Sequence, residues 1–266
     1  MTCSSAKNVT IIGAGLAGLT AGHLLSKNGF CVTLLEAENL PGGRMSERQI
    51  NGLRLNTGAR WIYSFSHEIL DLVKQLDLLK HLQAAPKVPV FADVGGRTFK
   101  LRFGPDPRLF FDSLLTPTDK LRCLSLIPDL LRARFRVNPN QLLTAEQFDS
   151  ESLTQYFAKK GLVRYAKYFV EPIFRGARCW NLADISPAFF LTTGAHMVGG
   201  HAYTFDQGIG LLSRTLSSRL NLVYGARVQD LVRLRSGGCR IRYTYNGQLV
   251  YREADLVLCA VEGTHL

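Results

Sequence analysis

Three patterns of apolar positions follow one another in the first forty residues. Val9 to Ile12 is a short, β-branched run of the kind found in a parallel strand covered on both faces. Leu16, Leu19 and Leu24 then recur at helical spacing, and Asn28-Gly29 supplies a stop. Cys31 to Leu35 is a second buried-type run, ending at Glu36. The order strand, helix, strand predicts a βαβ unit. Further on, Ser66 stands ahead of Ile69, Leu72, Val73 and Leu76, a spacing that predicts a capped amphipathic helix. Val88 to Phe103, with Gly95-Gly96 between two extended runs, predicts a hairpin. Between 105 and 175 the pattern is helical, cut into short pieces by prolines at 105, 107, 117, 128 and 139. Strands return at Asn221 to Tyr224, Val228 to Leu234, Cys239 to Tyr245 and Leu256 to Ala260, with turns at Gly237-Gly238 and Asn246-Gly247.

A length of 266 residues fits one large domain or two intimate ones. Lysine and arginine outnumber acids by 32 to 21, and the resulting charge of +11 favours contact with anions. No zinc finger, RNP-like aromatic set or helix-turn-helix accompanies the charge, so nucleic acid is not an expected partner. The six cysteines form no CxxC pair or Cys/His cluster. Neither a metal site nor a disulfide framework is indicated, and a reducing, cytoplasmic compartment is expected. Asn8 to Ser26 is uncharged and follows Lys7, as a signal peptide would, but Gly13, Gly15, Gly18 and Gly22 have the spacing of a nucleotide-binding turn. The histidines show no metal spacing; His196 and His201, near Gly199-Gly200, are expected on a loop with no catalytic role, the alternative being that they line a pocket. Glu171 and Arg175 are set for an ion pair one helical turn apart. Lys120, Arg122, Arg132, Arg134 and Arg136 flank Leu124, Leu126, Ile127, Leu130 and Leu131. The expectation there is a solvated helix face with its leucines in the core; the alternative is a peripheral contact with an anionic membrane. With no GxSxG elbow and no paired carboxylates, hydrolysis has no candidate residues.

Gly13-Ala14-Gly15-Leu16-Ala17-Gly18 fits GxGxxG between a predicted strand and helix, and Glu36 ends the next strand at the distance of a ribose-binding acid. The first glycine permits the turn, the second admits a pyrophosphate, and the third packs helix on sheet; the helix N-terminus holds the anion. Glu36 suits an unphosphorylated ribose. An NAD-dependent dehydrogenase is one reading of this unit.

Gly42-Gly43-Arg44, close behind Glu36, resembles the flavin superfamily of amine oxidases, protoporphyrinogen oxidases and phytoene desaturases. So do Gly58-Ala59-Arg60-Trp61, Gly208-Ile209-Gly210-Leu211-Leu212, Gly225-Ala226-Arg227-Val228 and the strand ending at Ala260. Phe169 to Gly176, followed by Ile185-Ser186, is most similar to the protoporphyrinogen oxidase branch. Asn56 and Thr57 stand where the family usually has an acid, and Glu262 where a proline is common. The resemblance implies FAD, held by the fingerprint turn, Glu36, Ala37 and Arg44. It places residues 58 to 61 against the flavin ring, the Val228 backbone on the adenine and Ala260 near the cofactor. It also implies an α/β fold with a Rossmann-like parallel sheet and a β-meander. Residues 1–65 and 205–266 would then form a discontinuous FAD/NAD(P)-binding domain, and 66–204 an inserted, mostly helical substrate region. The expected activity is hydride transfer from an amine, a porphyrinogen or a similar apolar small molecule to the flavin, with no side-chain catalyst named. Family members carry a C-terminal third with a Gly-Asp flavin contact that is not found here. A truncated, noncatalytic dinucleotide-binding or partner-binding protein, or one completed by a second chain, is the alternative.

Overall fold

A computed structural model describes residues 6–86, 89–94, 96–101 and 113–263. Val88, Gly95, Phe103, Pro105 and Pro107, named above, lie outside them, as do Cys3 and His265. The chain divides into two compact units, one of residues 1–61, 72–83 and 203–266, the other of 62–71 and 84–202. Residues 72–83, read from sequence as part of the insertion, belong to the first unit. Leu72, Val73, Leu76 and Leu78 are buried, and the Asp206 N–H donates to the His81 carbonyl.

The first unit is built on a four-stranded parallel sheet. Its central strands are β1 (Asn8–Ile12) and β2 (Cys31–Leu35), flanked by Leu256–Cys259 beside β1 and Asn221–Val223 beside β2. Helix α1 (Leu16–Lys27) connects β1 to β2. The near-continuous apolar character of both strands follows from the sheet being covered twice. On one side Ile11 and Leu34 approach Gly22 of α1. On the other, Leu35, Val223 and Val257 pack with Ile241, Tyr243 and Val250 of an antiparallel meander. The meander strands are Arg227–Arg233, Cys239–Tyr245 and Gln248–Ala254, with a register shift between Val228 and Asp230. Two buried threonines on that face, Thr10 and Thr33, accept from Arg252 of the meander, which satisfies hydroxyls that would otherwise be lost to water. Asn246 and Gly247 both take positive φ, as the tight turn demands.

Some strands exceed what the periodicity showed. Glu47–Ile50 and Leu53–Asn56 form a second hairpin about Asn51-Gly52, and Gln248–Ala254 completes the meander.

The second unit is mostly helical, with a hairpin of Val90–Val94 and Arg97–Leu101. Helices Pro117–Cys123 and Leu153–Lys159 begin in capping boxes, Thr116 with Asp119 and Ser152 with Gln155. Helices Ile127–Arg136 and Pro187–Met197 pack with them around Leu153, Phe157, Leu162 and Leu191, all fully buried. Phe157 is the centre of this core, its ring 5.6, 5.9 and 5.1 Å from those of Tyr156, Tyr165 and Phe190. Glu171 and Arg175 form the expected ion pair at 2.9 Å.

Two expectations for this unit are overturned. His196 is buried on a helix, not on a loop, because its Nδ1 donates to the Thr192 carbonyl at 2.8 Å and thereby uses up a polar atom inside the core. Of the leucines assigned to the core in the basic segment, Leu126 is buried and Leu130 half-buried, but Leu124, Ile127 and Leu131 are exposed.

Candidate functional site

The fingerprint turn joins β1 to α1, and its three glycines are there for different reasons. Gly13 has φ +96°, and a Cβ on it would lie 3.0 Å from the Ala260 carbonyl oxygen. A Cβ on Gly18 would fall on the Gly13 carbonyl oxygen, so α1 sits as close to the turn as backbone allows. Gly15 has an ordinary extended conformation, φ −66° and ψ 173°, and a Cβ on it would meet nothing within 4 Å. Neither strain nor packing among the described residues excludes a side chain at Gly15; the turn opens there onto free space. The first intrahelical bond is Leu19 N–H to the Gly15 carbonyl, which leaves the earlier amides of α1 without a partner in the helix.

The other predicted residues converge on this turn. Gly42 N–H donates to the Ala14 carbonyl at 2.7 Å and bridges to Gly15. The Gly43–Met45 turn that follows brings a Cβ position on Gly43 within 3.3 Å of the Gly15 Cα. Gly42, at φ +108°, rests on Ser213 of the Leu211–Ser217 helix, a contact with no room for a side chain. Arg44 is exposed and makes no ion pair or side-chain hydrogen bond among the described residues. Its carbonyl accepts from Ala59 N–H at 2.7 Å, and a Cβ on Gly58 would strike the same oxygen. Residues 58 and 59 are thereby fixed against the Gly42-Gly43-Arg44 turn. Arg60 and Trp61 follow on the surface.

The Glu36 carboxylate accepts from Ala14 N–H at 2.6 Å and from Glu38 N–H at 2.9 Å. Its backbone is clamped as well: Glu36 N–H donates to Val223, and Ala226 N–H to the Glu36 carbonyl. Ala37 follows it, half-buried. Val228 is half-buried and packs against the cluster of Leu35, Ala226, Ile241, Tyr243 and Ala254. Ala260 N–H donates to the Ile12 carbonyl at 2.8 Å, and the Ala260 Cβ lies 3.3 Å from a Cβ position on Gly18. Fingerprint, acid, arginine turn and closing strand thus meet at one end of the parallel sheet, where doubly wound folds take their ligands.

One supporting residue escaped the sequence reading. Glu47 has a buried side chain, accepts from Gly210 N–H at 3.0 Å and is ion-paired with Arg214. Cβ positions on Gly208 and Gly210 would collide with its carboxyl group. This explains the Gly208-Ile209-Gly210 spacing as a seat for an acid. The only sequence signal was a lone acid between Arg44 and Arg48.

Residues 16–266 match the family described as flavin containing amine oxidoreductase. The chain is 27% identical over 272 residues to Protein FLOWERING LOCUS D of Arabidopsis thaliana, an alignment that covers 97% of this chain and 31% of the relative. It is 39% identical over 72 residues to putrescine oxidase of Kocuria rosea, covering 27% of this chain and 15% of that one. Among solved structures, a putative protoporphyrinogen oxidase from Exiguobacterium superimposes with a TM-score of 0.67 at 19% identity, covering 97% of this chain and 60% of the other. That similarity shows the fold, an α/β arrangement with a Rossmann-like sheet. The chain spans about a third of the relative it matches end to end and three-fifths of the solved chain. Its own residues nonetheless carry the match from the first turn of α1 onward, and the chain belongs to the flavin containing amine oxidoreductase family.

Proposed function

We propose that the chain holds FAD at the fingerprint turn and serves hydride transfer from a reduced apolar small molecule, an amine or a porphyrinogen-like compound. The observation that carries this reading is Gly15. Its conformation suits any residue and none of the described residues fills the space beside it, so a ligand approaching the backbone is what a side chain there would obstruct. The donors around that space fit an anion: the first amides of α1 and the unpaired Arg44 guanidinium.

In this reading Gly13 to Gly18 and Arg44 hold the diphosphate. Glu36 spends one lone pair of each oxygen on a backbone amide and keeps the others for ribose hydroxyls. The Val228 backbone and Ala37 lie beside the adenosine, and Gly58 to Trp61 and Ala260 border the ring. Bound FAD supplies a hydride acceptor at N5; the chain's residues position it and exclude competing reactions.

The test compares FAD content, by absorbance and chromatography of released cofactor, in the wild type, Gly15→Ala and Arg44→Ala. Each substitution is expected to lower FAD retention at least about tenfold with an unchanged melting temperature, since neither residue is held by packing. A wild-type chain that is folded, colourless and refuses added FAD would overturn the proposal. Unchanged FAD content in Arg44→Ala would remove the role given to Arg44.

A further inference from the structure

The basic segment of the second unit forms an almost continuous helical rod, Pro117–Cys123, Leu124–Leu126 and Ile127–Arg136. Its inner side supplies Leu126 and Ala133 to the core. Its outer side is apolar and open to solvent: Leu121 is 67% exposed, Leu124 42%, Ile127 47%, Leu131 51% and Phe135 81%. At 100° per residue these five fall within an arc of about 120°. The same wheel puts Arg132 and Arg136 along one edge of the stripe and Arg134 along the other. Arg134 and Arg136 make no ion pair among the described residues. Of the rod's two acids, Asp119 closes the Thr116 cap, and Asp129 accepts from the Tyr156 hydroxyl, pairs with Lys160 at 2.8 Å and reaches Arg132 at 3.4 Å.

We propose that this face docks on an anionic lipid surface, with the five apolar side chains entering the acyl boundary and the arginines engaging headgroup phosphates and carboxylates. The pattern is that of a helix lying in the interfacial plane, apolar along the centre and basic along both edges. Charge argues against a second copy of this chain as the occupant, because a symmetric pairing would set one row of arginines against another. A nucleic acid would meet the apolar stripe where it needs donors. Among the described residues no helix is long and apolar enough to cross a membrane, so the contact is peripheral. The proposal stands apart from the flavin reading and uses none of its residues.

The test is co-sedimentation of the full chain with phosphatidylcholine vesicles and with vesicles that also contain phosphatidylserine. Binding is expected to favour the anionic vesicles and to weaken with salt. Leu131→Asp with Phe135→Asp should weaken it at least about tenfold. Arg132→Gln with Arg136→Gln should cost about fivefold per charge on anionic vesicles alone. Because these side chains are exposed, melting temperatures should hold. Phe135→Trp gives a second readout, a blue shift of emission on anionic vesicles. Absence of lipid-dependent sedimentation would overturn the proposal, as would lipid binding untouched by the two aspartates. A dimer in lipid-free solution that the aspartates abolish would reassign the face to self-association.

Discussion

At Gly18, one added methyl group would land on the Gly13 carbonyl oxygen; at Phe157, a whole ring is embraced by three others. The two units reach close packing by these opposite means. Around the fingerprint turn, backbone lies on backbone, with Gly18 on Gly13, Gly58 on Arg44 and Gly43 near Gly15. In the helical unit, side chains fill the interior and the backbone is screened within helices. A backbone contact leaves one residue type able to occupy a position. A side-chain contact leaves several, provided volume and shape are conserved.

The largest effect that tests this contrast is Phe157→Ala, expected to cost about 3–5 kcal/mol through the cavity it leaves, read as a lowered denaturation midpoint. Phe157→Leu should recover most of that loss, since an apolar side chain of related volume refills much of the site. Gly18→Ala adds a single methyl group and is nonetheless expected to cost about 2–3 kcal/mol, because the atom it meets is backbone that cannot turn aside. It should also lower FAD retention, by shifting the turn that α1 presents. If Gly18→Ala proved no more costly than Phe157→Leu, the contrast between the units would fail.

The same contrast sets how much was legible in the sequence. The βαβ unit, the Gly42-Gly43-Arg44 turn and the meander turn at Asn246-Gly247 were readable because each depends on a conformation or an approach that few residues tolerate. The hairpin at Asn51-Gly52 carries the same turn signal, but its first strand, Glu47–Ile50, lacks alternation, and the alternating Leu53–Asn56 is exposed on both faces. Glu47 was illegible for a different reason. Its partners, Gly210 and Arg214, lie more than 160 residues away, and no local pattern marks a long-range ion pair. In the helical unit, periodicity located helices but not the side each one buries. Leucine and isoleucine usually point inward, which is the expectation for Leu124, Leu126, Ile127, Leu130 and Leu131, yet three of these five face water.

The smallest expected effect concerns acid. In the helical unit the Thr116 hydroxyl and backbone amide hold the Asp119 carboxyl below the ordinary carboxylate value of 3.8. For Asp129, burial pushes upward, but hydrogen bonds from Lys160 and Tyr156 and the charges of Lys160 and Arg132 outweigh it, and its value is lowered too. A carboxylate whose folded value is depressed adds stability that is present above the unfolded value and disappears as pH falls through the folded one. The helical unit should therefore weaken as pH drops below about 4, seen as faster hydrogen exchange in peptides from 117–165. Asp129→Asn keeps an acceptor for Tyr156 but loses the charge that Lys160 answers, and it should cost about 1–2 kcal/mol at neutral pH. Because that contribution is then already missing, the variant should lose less between about pH 5 and 3 than the wild type does. Parallel pH curves for the two would show that the Asp129 cluster does not hold this unit together, and would leave the aromatic core as its principal support.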